Sequence, residues 1–432
     1  MKAVVDLIAR HKAGEPCGMF SVCSAHPLVI EATFRHALQS GAPFALIEAT
    51  SNQVYQDGGY TGMTPALFRD FVHRIADRAG FERDRILLGG DHLGPNAWQA
   101  LPAGEAMARA DVLINAYVSA GFRKIHLDCS MPCADDQIAL SNDTIATRAA
   151  RLCAVAENAY RHAGGEPPVY VIGTEVPAPG GAAEGLNALA VTTPEAAGAT
   201  IDGHRAIFAA AGLIDAWHRV IAVVVQPGVE FDGRKVVNYL PGKVLALKAM
   251  IERHQQLVYE AHSTDYQAPS ALAALVQDHF AILKVGPGLT FALREALWAL
   301  DAIEHEWVEP GLVSGFRDVV IARMKADPRY WAKYYHSQGA ALEHDLQYSL
   351  SDRIRYYWPD PEIARAQAKM LRNLAENPPP WALISQYLPI AHAAVRDGLI
   401  GGNAVELIMA HIWSVLDDYQ AAVSVARSQH HA

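Results

Sequence analysis

The stretch Ile86-Leu87-Leu88-Gly89-Gly90-Asp91-His92-Leu93-Gly94-Pro95 breaks an apolar run on paired glycines and then sets a carboxylate beside an imidazole. A buried strand ending in reactive side chains is what a site at the carboxyl edge of a parallel sheet requires. Seven other apolar runs repeat the pattern, at 18–25, 42–50, 122–130, 168–177, 219–228, 256–265 and 280–289. Their ends carry Ser24, Glu48, Asp128, Glu175, Gln226, Glu260 with His262, and Lys284. The runs are continuous rather than alternating, as in Val220-Ile221-Ala222-Val223-Val224-Val225, which marks a parallel sheet covered on both faces. Helical patterns lie between them. Residues 27–40 close on Gly41, and 65–79 open with Thr64 as N-cap and Pro65 at the first position and stop at Gly80. Further helices are expected near 103–120, 144–163, 194–212, 241–254, 268–278 and 289–305. Eight strand–helix repeats fit a closed barrel or an open doubly wound sheet. Polar residues at nearly every strand end favour the barrel, because an open sheet concentrates its site at one switch point.

The expected fold is therefore α/β, a (β/α)8 TIM barrel over 1–308 with a helical C-terminal region over 309–432 and a linker around Glu309-Pro310-Gly311. Beyond the linker helices are expected at 315–326, 328–345, 360–376, 379–397 and 401–427, with prolines as breakers. The aromatic- and arginine-rich stretch 348–358 reads either as a helix packed on the barrel or as part of a phosphate pocket or subunit interface. A net charge of −10 leaves no basic footprint for nucleic acid or an anionic membrane. Met1–Asp6 lack the long apolar stretch of a secretory signal, and no window approaches a membrane span. Five cysteines, odd in number and without a Cys-x-x-Cys pair, read as reduced thiols of a cytoplasmic protein. A homo-oligomer is expected.

Ligands drawn from several strand ends produce no compact motif. His92, Glu175, Gln226 and His262 end the third, fifth, sixth and seventh strands, and this nitrogen–oxygen mix suits zinc or another divalent first-row ion. Asp91, beside His92, is positioned for general acid/base work on a sugar hydroxyl. Glu260 shares strand parity with His262, which leaves it a second catalytic carboxylate, a partner that fixes the imidazole, or an interior residue paired with Lys284. Lys284-Val285-Gly286-Pro287-Gly288 joins a strand to a helix, where glycine N–H groups and the helix dipole favour an oxyanion such as a sugar phosphate. Ser24, Glu48, Asn52 and Asp128 are expected around the substrate, with Arg353 or Arg355 assisting from the helical region.

Several strings are longer than chance gives: Gly-Gly-Asp-His-Leu-Gly-Pro-Asn (89–96), His-Leu-Asp-Cys-Ser (126–130), Gly-Thr-Glu-Val-Pro (173–177), Glu-Ala-His-Ser-Thr-Asp-Tyr-Gln (260–267), Leu-Lys-Val-Gly-Pro (283–287) and Ser-Asp-Arg-Ile-Arg-Tyr-Tyr-Trp (351–358). In these the chain resembles the Z-type subunit family of D-tagatose-1,6-bisphosphate aldolase over essentially its whole length. Kinase labels attached to that family find no Walker-type Gly-x-x-x-x-Gly-Lys-[Ser/Thr] here. The resemblance implies either a sugar or sugar-phosphate 4-epimerase or a non-catalytic partner of a class II aldolase subunit. A more distant resemblance, to zinc-dependent class II aldolases, implies Asp91 as acid/base and His92, Glu175 and His262 at the metal. It departs at Gln226, where those enzymes place a histidine. The function expected is metal-dependent C4 epimerisation of a ketohexose or its phosphate, fructose with tagatose being the natural pair, by retro-aldol cleavage and re-addition. The alternative is a stabilising subunit for a separate aldolase.

Overall fold

The computed structural model describes residues 1–137, 139–173 and 189–424. Eight parallel strands close into one barrel: β1 Met19–Val22, β2 Ala45–Thr50, β3 Ile86–Leu93, β4 Lys124–Leu127, β5 Val169–Gly173, β6 Val220–Val224, β7 Val258–Ala261 and β8 Ile282–Val285. Each pairs with its neighbour in sequence and β8 returns to β1, with Ser21 opposite Lys284. The fold is the (β/α)8 barrel with helices beyond it. Local chemistry sets the helix ends where the caps predict: Pro27–Ser40 stops on left-handed Gly41, and Pro65–Ala79 starts with Thr64 accepting from the Leu67 N–H and stops on Gly80. A short antiparallel hairpin, Glu230–Phe231 with Val236–Val237, follows β6.

Two apolar cores hold the barrel. One lies between strands and outer helices. The other is inside, at the amino ends of the strands, where the N-terminal helix Lys2–Lys12 sets Met1, Val4 and Ile8 against Met19, Leu46, Val169, Val258 and Ile282. That helix plugs the lower mouth. Above it the interior turns ionic: Lys124 Nζ sits 2.7 Å from Glu48 and 2.6 Å from Glu260, all three with no exposed side-chain surface. Gly89 makes room for this layer, since a Cβ there would lie 2.6 Å from Glu48 Oε1.

Past residue 315 the described residues form only helices and turns. The expected helix at 379–397 is two, Trp381–Tyr387 and Pro389–Arg396, because Pro389 ends the first and begins the second. The last helix, Ala404–Val423, packs along Pro27–Ser40, Pro269–Gln277 and Pro287–Trp307. Trp413 donates to Ala32 O, and Tyr419 meets Thr264. The stretch 348–358 lies over the carboxyl end of the barrel, where Tyr266 donates to Leu350 O at 2.6 Å and Thr290 to Asp352. The five cysteines are free thiols and four are buried. No described helix is long and apolar enough to cross a membrane.

Candidate active site

A cavity of about 430 Å³ opens at the carboxyl ends of the strands, lined by Asp91, His92, Asp128, His262 and Lys284 from the barrel and by Tyr334, Arg355 and Tyr356 from beyond it. In a regular strand Asp91 and His92 would face opposite ways. Here the register of β3 against β4 slips between Gly90 and Leu93, and His92 takes φ 50, a left-handed backbone unusual for a side-chain-bearing residue. The bulge turns both residues into the cavity. Gly94 then passes so close to β4 that a Cβ would stand 1.7 Å from Asp128 O.

Three imidazoles converge there. Ring centroids of His92 and His262 are 4.9 Å apart, His92 and His126 5.2 Å, and His126 and His262 5.4 Å. His92 donates from Nδ1 to Asp128 Oδ2 at 2.8 Å, and its Nε2 lies 3.6 Å from Asp91 Oδ2. Asp128 is itself fixed by Asn96 and Ser130. His126 Nε2 lies 2.8 Å from Gly173 O, which can only accept, so that nitrogen carries the hydrogen. Its Nδ1 then accepts from the His92 N–H at 3.3 Å and lies 2.9 Å from Asp91 Oδ1. Asp91, His126, Glu260 and His262 place ligand atoms within 4.8 Å of one another, and carboxylate oxygen with imidazole nitrogen is a donor set for a divalent ion. Histidines oriented by a carbonyl or carboxylate on the far nitrogen are the usual supports of such an ion.

The charges balance closely. Burial works to raise the Asp91 carboxyl, but His92, Lys284 and His262 hold it well below the usual range. Burial works to lower His92, and Asp91 and Asp128 raise it above the ordinary value. Lys284, buried among Glu48, Asp91 and Glu260, is kept protonated well above its ordinary value.

Several expected roles change in this geometry. Lys284 is ion-paired inside the barrel with Glu48 and lies 3.1 Å from Asp91, so its ammonium is not waiting for phosphate. The Gly286 N–H donates to Asp265 Oδ1 at 2.9 Å. Glu48 is fully buried beneath the cavity, and Glu260 joins Lys124 there while touching His262 at 3.0 Å. Gln226 turns away: its Oε1 accepts from the Gly228 and Val229 N–H groups of its own loop. Ser24 accepts from the His26 N–H and faces an adjoining cavity. Asn52 and Arg355 line the site, whereas Arg353 lies behind, 3.2 Å from the Tyr334 ring centroid and bonded to the Tyr356 hydroxyl. Asp128 holds His92. Glu175 and Gly180-Gly181 lie outside the described residues. His126 was not expected at the site, yet its parity with Lys124 and Asp128 on one strand points it inward.

A closed parallel barrel with a carboxylate–imidazole cluster at its strand ends is the class of protein these features define. The chain belongs to the D-tagatose-1,6-bisphosphate aldolase subunit GatZ/KbaZ-like family, whose model matches residues 4–424. It is 50% identical to a probable tagatose 6 phosphate kinase from Sinorhizobium meliloti 1021, with a TM-score of 0.87 over 94% of this chain and all of that one. It is also similar in fold to fructuronate-tagaturonate epimerase UxaE from Cohnella laeviribosi, at 12% identity and a TM-score of 0.51, covering 94% of this chain and 82% of that one.

Proposed function

We propose that this protein is a zinc-dependent 4-epimerase of ketohexoses or their 6-phosphates, with Asp91 as acid/base. The observation that carries the reading is the β3 bulge, which brings Asp91 and His92 together into a cavity where three imidazoles meet. His92, His126 and His262 would hold the ion, with Asp91 and Glu260 at its edge, and the ion would supply polarisation of the C2 carbonyl. His126 on β4 thus stands in for the histidine missing at Gln226.

In this reading Asp91, held ionised by its neighbours, removes the C4 hydroxyl proton. The C3–C4 bond breaks, its electron pair passes into an enediolate over C2 and C3, and C4 becomes an aldehyde. After the aldehyde turns, the pair re-forms C3–C4 from the other face and Asp91 returns the proton. Atoms balance and only configuration changes. Arg355 and Tyr356, which close the cavity from the C-terminal region, retain the aldehyde fragment. Asn52 contacts its hydroxyls. Aldolase chemistry shares every step but the last, and differs in whether the aldehyde leaves.

The test is metal analysis of the purified chain, then incubation alone with fructose, tagatose and their 6-phosphates. C4 epimer formation that stops on chelation is expected. No turnover alone, with strong stimulation of an added class II aldolase subunit, would replace this reading by the stabilising-subunit one that the family's description as a subunit supports.

A further inference from the structure

Barrels of this kind commonly hold a substrate phosphate on the backbone N–H groups after strands seven and eight, where a helix N-terminus adds its dipole. Here that position is already filled from within the chain. The Asp265 carboxylate, 3% exposed, accepts the Gly286 N–H at 2.9 Å and the Gly288 N–H at 2.7 Å through one oxygen, at the start of Pro287–Trp307. A Cβ on Gly288 would stand 3.0 Å from that oxygen, so carboxylate and loop are closely fitted. Asp265, Gly286 and Pro287 all line the substrate cavity.

The neighbouring cation offers no replacement, because Lys284 is engaged by Glu48 and Asp91. The cavity's remaining guanidinium, Arg355, is on the C-terminal segment, bonded to the Tyr356 hydroxyl at 3.2 Å. Asp265 thus presents a carboxylate, suited to a hydroxyl donor, where a phosphate would otherwise sit, and Arg355, whose charge reaches Asp265 and which also donates to Asp352 O at 2.9 Å, is left as the cation for a single phosphate. Resting on the 4-epimerase reading, we infer that Asp265 sets substrate class: the site takes a ketohexose bearing at most one phosphate, with its hydroxyl end at Asp265, and rejects a 1,6-bisphosphate. Like-charge placement against a buried carboxylate is the discriminating element.

Binding of tagatose 6-phosphate and tagatose 1,6-bisphosphate by calorimetry, without turnover, tests this on the full chain. The 6-phosphate should bind about 10- to 100-fold more tightly than the bisphosphate. Asp265→Gly frees both N–H groups and should shrink that ratio at least about ten-fold, and inorganic phosphate soaked into its crystals should occupy Gly286 and Gly288. Should Asp265→Gly misfold, Asp265→Asn keeps the acceptor without the charge and should still narrow the ratio. Equal binding of both sugars by the native chain overturns the inference, as does an unchanged ratio in the variants. Discrimination without epimerisation would sink the functional reading alone, and epimerisation without discrimination would sink this inference alone.

Discussion

The ends of β3, β4 and β7 and the loop after β8 contain the same kinds of group, yet in opposite states. At the first, Asp91, His92, His126 and His262 are aimed at one another, with His126 Nδ1 2.9 Å from Asp91 and the far nitrogens of His92 and His126 tied to Asp128 and Gly173. At the second, the Gly286 and Gly288 N–H groups have Asp265, and Lys284 has Glu48. One end is prepared for a ligand and the other is closed by the protein itself. Residue type at a strand end tells which chemistry is possible. Whether it is available depends on a partner brought from another strand.

The sharpest way to break this contrast is at the prepared end. Asp91→Asn keeps shape and a hydrogen bond but removes the base, so turnover of the epimerisation should fall by about 10²–10⁴-fold with sugar binding little changed. Steady-state kinetics beside calorimetry check it, and unchanged turnover would refute the assigned role. Next in size is the ionic layer beneath both ends. Lys124→Met leaves Glu48 and Glu260, in a site with no exposed surface, to share Lys284 as their remaining ammonium, which should destabilise the fold by about 3 kcal/mol in chemical denaturation. Adding Glu260→Gln should recover part of the loss. Smaller still is the support of His92: Asp128→Asn turns an acceptor into an amide and should weaken metal affinity about 10–100-fold while the chain stays folded. A competitive chelator titration reads it, and an unaltered affinity would remove Asp128 from the support of the ion.

Legibility followed the same division. Strands were readable because runs such as Val220–Val224 are buried on both faces, and helix ends because Thr64, Gly41 and Gly80 act locally. The N-terminal helix Lys2–Lys12 was missed, although Val4 and Ile8 share one face, because it lies ahead of the first strand–helix repeat. Asp91, His92 and His262, expected from chemistry at strand ends, line one cavity. His126 was recoverable by parity and overlooked because it sits inside β4 rather than at its end. Asp265 carried no local signal: its meaning depends on Gly286 and Gly288, one strand away. The partners of Gln226 and Lys284 carry no local signal either: Gln226 accepts from its own loop, and Lys284 meets Glu48 and Asp91 from other strands.

The smallest effect concerns the closed end and asks what Asp265 contributes to the fold. Burial pushes its carboxyl up to about 6, against the pull of the Gly288 and Gly286 N–H groups and the charge of Arg355. A raised folded pKa means the native state holds its proton where the unfolded chain, near the ordinary value of 3.8, has lost it. Between roughly pH 4 and 6 the native state therefore binds more protons, and this group's contribution to stability falls as pH rises. Asp91 and Asp128, both held below the ordinary range, act in the opposite direction, so total stability is not the useful quantity. The difference between native chain and Asp265→Asn is, because the amide keeps the acceptor and cannot titrate. Measured by urea unfolding, the variant should gain on the order of 1–3 kcal/mol relative to the native chain from pH 4 to pH 8. Parallel curves would mean that Asp265 is comfortably ionised at the helix N-terminus and serves only as a cap. A gain would mean that the fold carries a carboxylate it would be more stable without, as expected of a residue kept to turn phosphate away.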